Sequence, residues 1–188
     1  MRTRRAVLAV ATVLALSCTG GGEAATTTPA ASIPDGWEEH TFEGGAVAAP
    51  PDWSEVAPID TDDLTLQGPD PGDGLPPIAR LQVTERDGTP FDQLLQLVSA
   101  QLNLQFPDVE PGESRSVELP GADQAQVGTF RYETQADGQP VTLEERFVVA
   151  WYGDDGQAQM RIGGPAEHLT EEEPTIEQII QTLRFDGD

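Results

Sequence analysis

Apolar and polar residues alternate with a period of two along residues 78–85, where Ala79, Leu81 and Val83 share one side and Arg80, Gln82 and Thr84 the other. That period predicts a half-buried β-strand. A longer alternation runs over 141–152: Val141, Leu143, Phe147, Val149 and Trp151 point at a core, while Thr142, Glu144 and Arg146 point away. Residues 115–119, 124–134 and 158–162, the last with Met160 and Ile162 inward, read as further strands, bounded by Pro120-Gly121, Asp137-Gly138 and Gly153-Asp154-Asp155-Gly156. Residues 37–42 and 47–53 are short strands broken by Gly44-Gly45 and Pro50-Pro51, a pattern suited to an edge or hairpin. Residues 64–66 make one more strand, and 68–74 a Pro- and Gly-rich loop.

The period changes at Phe91, Leu94, Leu95, Val98 and Leu102, which recur at helical spacing. Thr89 is placed to cap that helix, Pro90 to occupy its first turn and Asp92 to complete a capping box, and Pro107 should end it near Phe106. A second helix, roughly 174–183, carries Ile176, Ile179, Ile180 and Leu183 on one stripe, with Glu171, Glu172 and Glu173 at the end where the helix dipole favours acids. Strands clustered between two helices predict an α+β fold, an antiparallel β-sheet with helices packed on it.

The amino end follows other rules. Arg2, Arg4 and Arg5 precede an uncharged apolar run over 6–16, the length of a signal h-region and too short to span a bilayer. The run closes in Leu14-Ala15-Leu16-Ser17-Cys18, which resembles the bacterial lipobox; the resemblance implies cleavage before Cys18 and lipid attachment to its thiol. Ala15-x-Ser17 would also serve an ordinary secretory peptidase. Cys18 is the only cysteine, so no disulfide can form within the chain. The expected organisation is a signal peptide at 1–17, Cys18 with a Gly/Thr/Ala-rich tether at 18–32, and one globular domain at 33–188.

Charge narrows the partners. The 10 basic residues are all arginine against 33 acids; without Arg2, Arg4 and Arg5 the balance is 7 against 33, or −26. Such a surface repels nucleic acid and anionic lipid headgroups. The absence of lysine removes Schiff-base and phosphate-loop chemistry. His40 and His168 sit beside acids near expected element ends, where exposed or capping roles suit them.

Candidate chemistry is sparse. Asp60, Asp62, Asp63, Asp70 and Asp73 offer the hard oxygens that calcium prefers, yet Leu64 falls where an EF-hand loop needs its fifth-position ligand, and solvated loops account for them equally. Glu145 interrupts an apolar strand face, so it should mark a polar pocket, meet a partner arginine, or turn outward on a bulge. Arg80, Arg146 and Arg161 share the polar parity of their strands and could form a basic patch for a ligand, or pair with neighbours such as Glu85 and Glu144. No metal, cofactor or catalytic motif is expected from these residues.

Four further features carry a resemblance: Phe42-Glu43-Gly44-Gly45, the Ala49-Pro50-Pro51-Asp52-Trp53 corner, Leu119-Pro120-Gly121-Ala122 with Ala125, and Ile179-Ile180-Gln181-Thr182-Leu183. Together they look like actinobacterial LpqN-type lipoproteins, which belong with the PsbP-like α/β sandwiches, a group that includes a photosystem II extrinsic subunit and a Ran-binding protein. The resemblance implies an α/β/α sandwich and a non-enzymatic binding or assembly role in the cell envelope, with an envelope protein as partner and the outer face of the cytoplasmic membrane as location. The alternative is a carrier of a small apolar ligand or lipid on the face lined by Phe147, Val149 and Trp151, which would otherwise be packed core.

Overall fold

The computed structural model describes residues 32–72, 74–106, 108–136 and 138–186. The expected signal segment, Cys18 and nearly all of the tether lie outside the described residues. So does Asp73.

The strands are β1 (Glu38–Phe42), β2 (Gly45–Ala49), β3 (Ser54–Glu55), β4 (Leu64–Gln67), β5 (Ile78–Glu85), β6 (Glu110–Ser116), β7 (Ala122–Ala136), β8 (Gln139–Tyr152), β9 (Gly156–Pro165) and β10 (Arg184–Phe185); the helices are α1 (Leu94–Gln105), α2 (Ala166–Glu171) and α3 (Glu173–Thr182). Seven strands form one antiparallel sheet in the order β3-β4-β5-β9-β8-β7-β6, and β1-β2-β10 form a second. This is the expected α+β architecture, with two sheets where the sequence pattern suggested one.

Each face of the large sheet has its own core. On one side Phe91, Leu94, Leu95, Val98 and Leu102, from α1 and the 3₁₀ turn before it, pack on Phe130, Tyr132, Phe147 and Val149. On the other, Ile176, Ile179, Ile180 and Leu169 from α2 and α3 join Val47, Ala49, Trp53 and Phe185 over Val148, Ala150, Met160 and Ile162. β8 is therefore buried on both faces from Glu144 to Ala150, so Glu144, 2 % exposed, and Arg146, 7 %, do not point to solvent, whereas Thr142 is exposed as expected. That corrects the outward reading of Glu144 and Arg146. They lie under α3, which the strand's own alternation does not show.

β7 changes its buried side midway. Ala125 and Val127 face α3, whereas Phe130 and Tyr132 face α1, and Gly128 sits between, where a Cβ would press on Leu95 at 3.0 Å. The glycine lets α1 approach the strand. α1 also starts differently from expectation. Its preceding 3₁₀ turn, Phe91–Gln93, has Pro90 at its N-cap with no side-chain hydrogen bond, and the Thr89 N–H instead donates to Asp87 Oδ1 at 2.9 Å. Thr89 thus closes a turn with Asp87 and does not cap the helix.

The edges of the large sheet are blunt. β3 has two residues, and β6 is exposed throughout, carries Pro111 and is bulged between Pro111 and Ser114. Short, bulged, polar edges resist pairing with other chains. In the small sheet β10 stops pairing at Ala46, and the Thr182 hydroxyl continues the connection by accepting from the Ala48 N–H at 2.9 Å.

Candidate groove on the open half of the sheet

α1 covers the β7–β8 half of its face, and no described helix packs on the β9–β5 half. The open half carries a polar row, set by strict antiparallel register: Arg80 opposite Arg161, Gln82 opposite Gln159, and Thr84 opposite Gln157. These residues alternate with Ala79, Leu81, Ala158, Met160 and Ile162, which fill the core on the far side. One parity of two strands thus serves the core and the other builds a surface.

Glu145 joins this row from β8, on the parity of Phe147 and Val149, and is 2 % exposed. Opposite it in β9 stands Gly163, where a Cβ would approach Glu145 Cγ to 3.2 Å, so the glycine leaves room for the carboxylate. The Tyr132 hydroxyl donates to Glu145 Oε1 at 2.6 Å, and Arg161 Nη2 donates to the same oxygen. Glu145 Oε2 is buried and has no hydrogen-bond partner among the described residues. Burial, and then the hydrogen bond to Glu145, push the Tyr132 phenol well above its ordinary pKa, so it remains a donor through neutral pH.

Two like charges directly across a strand pair repel unless each is matched. Here each is: Arg161 by Glu145, and Arg80 by Asp62, whose Oδ2 accepts from Arg80 Nε at 2.5 Å. Arg80 also reaches the Ile59 carbonyl at 3.3 Å and Asp60 at 3.4 Å, and its guanidinium pKa is raised, chiefly by the Asp62 bond. Ile59, Leu75, Pro76 and Ile78 wall one side of the resulting groove, with Phe106 and Leu143 opposite, around a cavity of about 390 Å³. Phe106 stacks on the Tyr132 ring, their centroids 4.1 Å apart, which fixes the aromatic wall.

Three of the four candidate ligand residues therefore meet in one place, and Arg146 does not. It lies on the opposite face, where Glu144 (3.3 Å), Glu173 (3.2 Å) and Glu177 (3.2 Å) surround its guanidinium, while Glu144 also takes Arg131 at 2.6 Å. Arg80, Arg146 and Arg161 thus pair with carboxylates, one of the two readings their polar parity allowed, and do not gather into a basic patch. Every arginine among the described residues has a carboxylate partner, including Arg86 with Asp123, Arg115 with Glu177 and Arg184 with Glu39. Arg80 pairs with Asp62 and Asp60, and not with Glu85.

The acidic loop residues serve the fold. Asp60 and Asp62 hold Arg80, Asp63 Oδ2 accepts from the Val83 N–H at 2.6 Å, and Asp70 Oδ1 accepts from the N–H groups of Gly72 (2.8 Å) and Gly74 (3.1 Å). No cluster of three or more metal-ligating side chains occurs among the described residues. His40 is buried in mid-strand, 3.5 Å from Glu55, and is neither exposed nor a cap; His168 lies within α2 beside Glu167. The Phe147–Val149–Trp151 face is ring-packed, Phe130 on Phe147 and Phe91 on Trp151 edge to face, as ordinary core. The pattern reading missed Tyr132 and Gly163. A tyrosine on an apolar strand face needs a partner for its hydroxyl, and that need was the available signal for Tyr132.

This arrangement of sheets and helices is found in solved structures. LpqN of Mycobacterium tuberculosis, involved in cell envelope biogenesis, superposes with a TM-score of 0.57 at 14% identity over 79% of this chain and 90% of that one. The Saccharomyces cerevisiae Ran-binding protein Mog1p gives 0.56 at 11% identity over 83% and 97%, and the cyanobacterial PsbP of Synechocystis gives 0.52 at 11% over 90% and 98%. The fold is PsbP-like. No family model and no curated protein sequence matches the chain. Identities this low establish shared architecture alone, and the groove residues are argued from this chain's own geometry.

Proposed function

We propose that this protein is an exported, non-catalytic binding module of the cell envelope, anchored at the outer face of the cytoplasmic membrane through lipid on Cys18, and that it engages an envelope protein through the Arg161–Glu145–Tyr132 groove. The carrying observation is a preformed concavity with apolar walls and a few convergent polar groups, the usual form of a binding site. Its tyrosine, glutamate and arginine are tied to one another, which suits holding a partner better than activating a nucleophile. LpqN's part in envelope biogenesis and Mog1p's binding of Ran support a binding role on this fold. The anchor rests on the lipobox resemblance of Leu14-Ala15-Leu16-Ser17-Cys18; no described helix is long and apolar enough to cross a membrane.

A photocrosslinking residue in place of Thr134, on the groove rim, tests the reading in intact cells. A discrete adduct with an envelope protein, lost on Arg161→Met, supports it; adducts indifferent to Arg161 overturn it. Cys18→Ser should release the protein from the membrane fraction or stall its processing. Normal processing with unchanged retention would overturn the anchor.

A further inference from the structure

The two helical faces of the molecule differ in charge. Residues 166–182, which hold α2 and α3, include five glutamates, whereas residues 88–106, which hold α1, include one charged side chain, Asp92, and α1 itself has none. The outward positions of α1 are instead amides, among them Gln96, Gln101 and Asn103. Through them runs an apolar stripe. Leu97 is 45 % exposed, and Leu104, 87 % exposed, follows seven residues later, two turns along the same side, with exposed Ala100 between. Neither leucine belongs to either core of the fold.

We propose that this face of α1 docks on the lipid bilayer to which Cys18 ties the protein, with Leu97 and Leu104 entering the boundary between headgroups and acyl chains. Charge selects the face. Glutamates on the α3 side are repelled by anionic headgroups and costly to dehydrate, whereas the uncharged amides of α1 meet neither penalty in full. Reach permits it. Trp37, just before β1, packs in the α3-side core, so the outer side of α1 lies across the sandwich, about three layers of 10 Å away. The 15 peptide steps from Cys18 to Ile33 can span up to about 50 Å. Area selects the occupant. Two leucines and an alanine fall far short of the roughly 800 Å² per partner of a stable protein interface, which disfavours a second copy or a freely diffusing protein. A bilayer joined to the same chain needs much less, because tethering makes docking intramolecular, at an effective concentration of the order of millimolar.

This inference rests on the lipid anchor of the proposed function, and its test reads the two separately. Cys18 is the only cysteine and lipidation occupies its thiol, so Gln101→Cys in α1, or Gln178→Cys in α3, takes a fluorophore at that one position. The protein purified from membranes is reconstituted in phosphatidylcholine vesicles whose acyl chains carry nitroxides; flotation reports the anchor and quenching reports docking. The label at 101 should be quenched and the label at 178 should not. Leu97→Gln combined with Leu104→Gln removes the stripe without touching either core, and should lower the ratio of docked to undocked protein at least about tenfold while flotation persists. Ala100→Leu extends the stripe and should raise that ratio. Phosphatidylglycerol vesicles at about 10 mM salt, where the acidic domain is repelled, should dock it less than phosphatidylcholine. Equal quenching at both positions, quenching at 101 that survives the double substitution, or tighter docking on phosphatidylglycerol overturns the proposal. Quenching that appears only as copies per vesicle are raised assigns the face to a second copy and overturns it too. Flotation without quenching at 101 removes docking and leaves the anchor standing; failure to float removes both.

Discussion

Arg161→Met removes the charge that balances Glu145 and keeps much of the stem that lies along Phe147. Breaking a buried ion pair from one side typically costs about 3–5 kcal/mol, because the remaining ion has lost both water and partner. Glu145 has a 3 % exposed side chain and fits that case, while the 35 % exposure of Arg161 lets groove water soften the loss. Proton uptake sets a ceiling. Neutralising an ordinary glutamate at pH 7 costs about 1.36 kcal/mol for each unit above roughly 4.3, or about 3.7 kcal/mol, and the fold can always take that route. The expected loss is therefore about 2–3 kcal/mol at pH 7. At pH 5 the same ceiling is about 1 kcal/mol. The sign follows: the variant's fold favours the neutral carboxyl, so folding takes up a proton and the deficit grows as pH rises. Urea unfolding at pH 5, 6 and 7 measures it, and Glu145→Gln added to Arg161→Met should recover most of the loss at pH 7. A deficit equal at pH 5 and 7, or below about 0.5 kcal/mol at pH 7, would mean that Glu145 is solvated in the folded state and would refute the reasoning.

Both tyrosines, 132 and 152, have phenol pKa values raised mainly by burial, so an absorbance titration should show both ionising at higher pH in the folded protein than in urea, with Tyr132 the further displaced. Because the fold retains those protons, this stability contribution is complete below about pH 10 and is lost as pH rises beyond it; Tyr132→Phe should flatten the alkaline slope. Thr182→Val should cost about 1–3 kcal/mol by leaving the buried Ala48 N–H unpaired, visible as earlier urea unfolding, and an unchanged midpoint would show that the hydroxyl is dispensable. With 33 acids against 10 arginines, the melting temperature should rise as sodium chloride goes from about 10 mM to 150 mM and the screening length falls from about 30 Å to 8 Å. A further rise saturating at stoichiometric calcium would revive a metal site in the 60–74 loop.

Burial on one face was legible where a strand has one face to bury. The alternation over 78–85 matches β5 residue for residue, and the Ile176–Ile179–Ile180–Leu183 stripe is that of α3, at most 1 % exposed. Two-residue strands leave no period to read, so β3 and β10 were invisible; each exists only because a distant strand supplies its partner. β6 lies at 110–116, not 115–119, because an exposed edge strand has no apolar side to alternate. α2 is too short for a helical period to stand out. Glu145 was readable as an anomaly, and its partner arginine was among the anticipated outcomes. Arg80 meeting Arg161 was not readable, since it depends on the β5–β9 register. Glu144 and Arg146 were misread because local polarity signals water only when nothing else covers the strand.

The central strand divides into an end that anchors both cores and an end whose buried charges position α3 and the groove. From Val148 to Ala150, β8 is apolar on both faces and each residue is at most 2 % exposed, so this half anchors both cores. From Glu144 to Arg146 the same strand is charged on both faces and still buried, with Glu145 toward the α1 side and its two neighbours toward α3. Buried ion pairs are commonly no more stabilising than apolar residues of the same volume. Three consecutive charged residues in the middle of a sheet therefore contribute little that Leu or Val would not. What they add is direction: Glu144 holds Arg146, which fixes α3 through Glu173 and Glu177, and Glu145 fixes Tyr132 and Arg161 around the groove. Departures from local folding rules concentrate where function sets the residue. Here the departure, a buried carboxylate oxygen without a hydrogen-bond partner among the described residues, and the part of the sheet on which no described helix packs coincide at Glu145.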